Sequence, residues 1–273
     1  MVYTAIFGGY DQLKEPAVVT PGIRYVCFTD RDLESDTWEI VRVSTSESDP
    51  RRASRPFKIR PHAYFKASYS LWVDASFTVG VDVRELIRRH LGSRNLAGFA
   101  HRERDCVFDE ASVCAEWLLD DPRIIASQVL RYAGEGLPRH AGLFECGVLL
   151  RKHRPDVAAL NELWWDEYGR GCCRDQISFG YSVWQTAFPV ALMPGTVYSH
   201  PGLAYSPHLA GPGEDRLAAL LADERDPQSA EASIRFAQSA SYRLSGEDDK
   251  ADDAYAEAIR MNPNHVRPAA RAS

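Results

Sequence analysis

Three short stretches carry residue types that could handle a phosphorylated ligand. Phe7-Gly8-Gly9-Tyr10-Asp11 ends an apolar run that begins at Val2. Paired glycines reach positive φ and let a ligand come close to the backbone, and the Tyr10 ring could stack on a base. A plain tight turn explains the glycines equally well, since no Gly-x-Gly-x-x-Gly fingerprint accompanies them. Asp30 closes Tyr25-Val26-Cys27-Phe28-Thr29. A carboxylate at the C-terminal end of a sheet strand faces the crevice where α/β proteins bind ligands, and could accept from a ribose or base. An Asx turn is the competing reading. The strongest signal is Asp74-Ala75-Ser76, delivered by Tyr69-Ser70-Leu71-Trp72-Val73. A carboxylate and a hydroxyl two residues apart offer oxygen ligands to a hard cation, Mg2+ or Mn2+, that would bridge to a diphosphate. One carboxylate stands where such sites often have two.

Holding these groups in place calls for an α/β sheet. Apolar or β-branched runs at 2–7, 24–28, 38–43, 69–73, 96–100 and 143–150 read as strands. Helical spacing follows Asp82 as N-cap over 83–91, and recurs over 109–119 and 156–168. Alternation of this kind predicts a sheet with helices on its faces. The chain has 273 residues, 45% apolar and 26% charged, enough for one large domain with an appendage. Its net charge of −6 argues against nucleic acid as partner. No apolar run is long enough to span a membrane, and Val2-Tyr3-Thr4-Ala5-Ile6-Phe7 does not read as a signal peptide. Six cysteines form no Cys-x-x-Cys pair, so reduced thiols and a cytoplasmic setting are expected.

Beyond His208 the composition shifts. Ala210-Gly211-Pro212-Gly213 reads as a linker, dividing the chain into domains 1–210 and 211–273. Helices are expected over 229–244 and 247–261, broken at Gly246. Tyr242, Ala251, Tyr255 and Ala258 followed by Met-Asn-Pro-Asn resemble one tetratricopeptide unit, with a generic helical hairpin as the alternative. A lone repeat cannot bury its own apolar face, so it should dock on the larger domain, on a protein partner or on a second copy.

Several stretches in order extend the comparison: Tyr3 to Asp11, Phe28-Thr29-Asp30, Phe57-Lys58-Ile59-Arg60-Pro61-His62, Trp72-Val73-Asp74-Ala75-Ser76, His101-Arg102-Glu103-Arg104-Asp105-Cys106, Glu145-Cys146-Gly147-Val148 and Arg174-Asp175-Gln176. Together, over residues 2–205, they resemble the TOD/MUCI-type glycosyltransferase-like domain. That resemblance implies a GT-A, Rossmann-like sheet in which Asp-x-Asp holds metal and donor diphosphate. Here the motif is Asp74-Ala75-Ser76, with the second carboxylate lost. It further implies that Phe7, Gly8, Gly9, Tyr10 and Asp30 line the nucleotide pocket and that Lys58, Arg60 and His62 neutralise the diphosphate. His101, Arg102, Arg104 and Asp105 would bind sugar hydroxyls. Asp175 and Gln176 would lie beside donor sugar and acceptor, and His200 would join Asp74 and Ser76 as metal ligand. Whether the sugar's configuration is kept or inverted is not written in the sequence, and for an inverting route Asp175 is the candidate general base. For these positions the bland readings are a solvated basic helix face, a surface ion-pair network, an N-cap at Asp175 and a structural histidine at His200.

The expected function is transfer of a hexosyl or pentosyl group from a nucleotide-diphosphate donor, UDP-linked by default, to a hydroxyl acceptor with metal assistance. A metal-dependent hydrolase and a non-catalytic nucleotide-sugar-binding scaffold are the rival readings.

Overall fold

The computed structural model describes residues 1–207, 216–222 and 224–263. In chain order the elements are β1 (Val2–Ile6), β2 (Tyr25–Thr29), β3 (Glu39–Arg42), α1 (Pro50–Ile59), α2 (Pro61–Tyr64), β4 (Tyr69–Val73), β5 (Phe77–Val79), α3 (Val83–His90) and β6 (Leu96–Ala100). There follow α4 (Val107–Glu116), α5 (Pro122–Gly134), β7 (Phe144–Lys152), α6 (Pro155–Arg170), α7 (Asp175–Thr186), β8 (Ala191–Leu192) and β9 (Leu203–Tyr205). The C-terminal part adds α8 (Arg216–Leu221), α9 (Pro227–Ser245) and α10 (Asp248–Met261). The chain forms two compact units. Of the described residues, one comprises 1–103, 144–167 and 182–207, the other 104–143, 168–181, 216–222 and 224–263.

The first unit holds a seven-stranded sheet in the order β3-β2-β1-β4-β7-β6-β8, the mixed sheet expected of a GT-A-like fold. Every residue of β1 and β2 is buried, which is why both read as continuous apolar runs rather than as alternation. β1 pairs in parallel with β2 and β4, Ile6 opposite Thr29 and Tyr3 opposite Trp72, so these three strands end at one edge of the sheet. β7 runs antiparallel to both β4 and β6. A side ribbon pairs β5 with β9. Val73, Phe77, Phe99, Val148 and Leu203 belong to the core beneath that edge. Asp82 caps α3 by accepting from the Arg84 N–H, as its position predicts.

In the second unit α9 packs on α4 and α5, and Gln238 Nε2 donates to the Ala115 carbonyl at 2.8 Å. The expected hairpin is present as α9 and α10, joined at Gly246 with φ +76°. Their contact is made by Tyr242, Ala251 and Ala254. The expected linker at 210–213, and with it the boundary at 210/211, lies outside the described residues. α4 ends earlier than the spacing predicts, because Leu118 takes φ +51° and breaks the helical run. α5 was unforeseen, although Asp121 capping a helix with Pro122 in its first turn is a recognisable start. No described helix is long and apolar enough to cross a membrane.

Candidate active site

From β1 the chain runs outward through β2 to β3, then crosses back to β4 on the other side of β1. The strand order reverses between β1 and β4, and the crevice outside their carboxyl ends is where open α/β sheets take ligands. Gly8 follows one of these strands and Asp74 the other.

Gly8 and Gly9 both have positive φ, +60° and +68°. A Cβ on Gly8 would stand 2.6 Å from Pro50 Cγ, so neither the backbone nor the space admits a side chain. Asp30 holds the turn, its two carboxylate oxygens accepting from the Gly8 N–H at 3.2 and 3.1 Å. Tyr10 closes it, its N–H donating to the Phe7 carbonyl, and remains half-buried. Phe7 does not line the pocket as expected: it is buried and stacks on Phe57, which stacks in turn on Phe28. Arg31, which the sequence did not single out, lies against the turn: a Cβ on Gly9 would come 2.2 Å from its Nη1.

At the end of β4, Asp74 Oδ1 accepts from Trp72 Nε1 at 2.7 Å and from Lys58 Nζ at 3.2 Å. Lys58 is 1% exposed, so it is a buried partner of Asp74 and is not presented to a diphosphate as expected. Gly147 on β7 leaves room beside the carboxylate: a Cβ there would meet Phe77 at 2.9 Å and Asp74 Oδ2 at 3.5 Å. Asp74 to Phe77 is a tight turn closed by the Phe77 N–H on the Asp74 carbonyl. Ala75 is half-buried within it, and its carbonyl accepts from Lys14 Nζ at 2.6 Å. Ser76 is buried at 3% exposure.

These donors do not fit a resident Mg2+ or Mn2+. One oxygen of the single carboxylate already faces an ammonium, and a cation sharing it would meet like charge. Ser76 is buried and offers little surface to an entering ion. His200 Nδ1 accepts from the Gly202 N–H at 3.1 Å, which leaves the proton on Nε2 and no lone pair for a metal. Burial, with His90 nearby, pushes this imidazole toward the neutral form, and its ring packs edge-on against Phe99. His200 is a turn-holding residue here.

The other basic positions are also spoken for. Arg60 Nε and His62 Nε2 both meet Glu162 Oε1, at 3.0 and 2.7 Å. Partial burial raises the Glu162 carboxyl, but the bonds from His62 and Arg60 outweigh it and hold the group below the usual carboxylate range. His101 Nδ1 accepts from the Glu103 N–H, and Arg102 lies over the Tyr198 ring.

Arg104, Asp105, Asp175 and Gln176 belong to the second unit. Arg104 pairs with the buried Glu110 at 2.8 Å. Asp105 meets His140 at 2.6 Å. Asp175 is the first residue of α7, one position past the N-cap expected of it, and is buried. Gln176 beside it is half-buried. Arg174 is half-buried; desolvation opposes its charge, but Cys114, Glu110 and Asp175 outweigh that and raise its pKa. Trp72, Gly147, Arg31 and Glu162 were missed as site residues. Trp72 and Gly147 stood inside recognised motifs, whereas nothing in the sequence marks Glu162.

The family model for the TOD1/MUCI70, glycosyltransferase-like domain matches residues 27–194, and the chain belongs to that family. A curated relative from Arabidopsis thaliana, "Probable hexosyltransferase MUCI70", is 30% identical over 210 residues. The match takes in 66% of this chain and 36% of the relative, so the chain spans about a third of that protein's length. Among solved structures, apo mouse xyloside xylosyltransferase 1 is similar at TM-score 0.38 and 10% identity, covering 70% of this chain and 84% of that one. The bifunctional glycosyltransferase WbbM is similar at TM-score 0.40 and 13% identity, covering 71% and 38%.

Proposed function

We propose that the chain transfers a glycosyl group, a hexose by analogy with its curated relative, from a nucleoside-diphosphate sugar to an acceptor hydroxyl. The observation that carries this reading is the Asp74 carboxylate, fixed by Lys58 and Trp72 at the sheet's switch point. The glycine turn and Asp30 would receive the nucleoside, UDP by default. Arg31 would meet the departing diphosphate with charge-assisted hydrogen bonds, where negative charge develops in the transition state. Transfer would break the bond from the sugar's anomeric carbon to the phosphate oxygen and form one to the acceptor oxygen, whose proton passes to a base. A cytoplasmic setting, with the tail as the surface for a partner or second copy, belongs to the same proposal and is in keeping with six free, buried cysteines.

Calorimetric titration with a panel of nucleoside diphosphates and their sugars tests this, run with Mn2+ and with chelator and followed by assay for released sugar. Binding with slow donor hydrolysis supports transfer. Binding without turnover supports the scaffold reading, and a panel in which nothing binds overturns the assignment. Metal assistance is read from the two arms; equal affinity in chelator is the result the donor set leads us to expect.

A further inference from the structure

Cys106, Asp109 and His140 place a thiol, a carboxylate oxygen and an imidazole nitrogen within 4.8 Å of one another, the one such triad among the described residues. We propose that this cluster is a site for a soft-to-borderline divalent transition metal, zinc by preference. It lies within the second unit and needs no part of the transferase reading.

The chain's own geometry assembles the three ligands. Cys106 is the N-cap of α4 and Asp109 lies in that helix's first turn, so both project from its start. His140 comes from the segment before β7, which is tied back to the same place by the Gly142 N–H on the Asp105 carbonyl at 2.8 Å. His140 adopts φ +57°, in the left-handed region that L side chains rarely enter. Its Nδ1 meets Asp105 Oδ1 at 2.6 Å. A carboxylate on one ring nitrogen fixes the tautomer and leaves the other, Nε2, with its lone pair for a metal, the usual outer support of a zinc-bound histidine.

Charge points the same way. Once the thiol ionises, Cys106, Asp109 and Asp105 are negative, while Arg139, 3.3 Å from Asp109 Oδ1, is positive. The sum is about two negative charges, which a divalent cation cancels. The donor set of sulfur, nitrogen and oxygen selects zinc over magnesium or manganese. The thiol is buried and the imidazole exposed, so the cluster opens to solvent on one side, where water would complete the coordination. Binding releases the Cys106 proton to the buffer.

The test is a Co2+ titration of full-length protein, stripped with chelator and kept in a non-thiol reductant. A thiolate-to-cobalt charge-transfer band should grow to one equivalent and be bleached by one equivalent of Zn2+. Cys106→Ser should abolish the band, Asp105→Asn should weaken binding by about ten- to a hundredfold, and His140→Ala should weaken it further. His140 is exposed, so that variant keeps the test open if Cys106→Ser fails to fold. No band in the native protein, or a band that survives Cys106→Ser, overturns the site.

Discussion

Removing the charge of Asp74 strips a buried lysine of its carboxylate. Asp74→Asn should lower donor turnover, because the turn at the end of β4 loses the charge that Lys58 and Trp72 fix in place. It should also cost stability, about 2 kcal/mol, because Lys58 at 1% exposure loses the carboxylate charge 3.2 Å from its ammonium. Lys58→Met on that background should recover stability in urea unfolding and leave turnover low. A single Asp74→Asn variant as stable as the native chain would show that the pair is not felt in folding. Arg31 separates ligand binding from folding, since it is exposed and no carboxylate meets it among the described residues. Arg31→Ala should leave the unfolding midpoint unchanged and weaken UDP binding about tenfold, the value of one charge-assisted hydrogen bond. Unchanged UDP affinity would take the diphosphate away from the glycine turn.

Among the elements, the tail makes the sharpest demand. α9 covers α4 and α5 and contributes Gln238 to the Ala115 carbonyl, while Lys250 and Glu116 pair at 3.0 Å. Ending the chain at 226 should therefore uncover apolar helix faces and lower the unfolding midpoint; a truncated protein that stays as stable and monomeric would show the hairpin to be an independent appendage. Gly246→Ala is the gentler probe, expected to cost about 1 kcal/mol for an αL helix end. The sequence makes β1, β2 and β4 legible because burial on both faces leaves unbroken apolar runs, and it makes Asp74 legible because such a run ends on a carboxylate. In the sequence Lys58 reads as a diphosphate partner, with a solvated helix face as the alternative. That it turns inward to Asp74, that Glu162 collects Arg60 and His62, and that Gly147 clears space at Oδ2 all depend on packing between distant segments. No local spacing encodes those contacts. His200 misled for a related reason: its Nδ1 is consumed by a backbone N–H two residues on, which only the fold reveals.

For the whole molecule, buried titratable groups set the pH range over which the fold holds. His153 accompanies Ser70 at 2.8 Å, and burial, with Arg151 and His62 nearby, lowers its pKa from 6.5 to about 4. Below 6.5 the unfolded chain takes up a proton that the folded chain refuses, so stability falls as pH drops from there toward 4. His90 and His200, also lowered by burial, act in the same direction. At the other end burial pushes the thiols of Cys27 and Cys172 up from 9.0 to about 12. Above about 9 the unfolded chain loses protons that the folded chain keeps, so each thiol removes up to about 1.4 kcal/mol of stability per pH unit. Stability should thus form a plateau between roughly pH 6.5 and 8.5 with a falling limb on either side. Urea unfolding in a non-thiol reductant at pH 5, 7.5 and 10 measures it. Cys27→Ala removes one buried thiol from β2, so it should lower stability at pH 7.5 through lost packing yet flatten the alkaline limb. His153→Asn should flatten the acid limb in the same way. An alkaline slope that is unchanged in Cys27→Ala would mean that this thiol ionises as readily folded as unfolded, and that the interior of the sheet is open to water where the structure closes it.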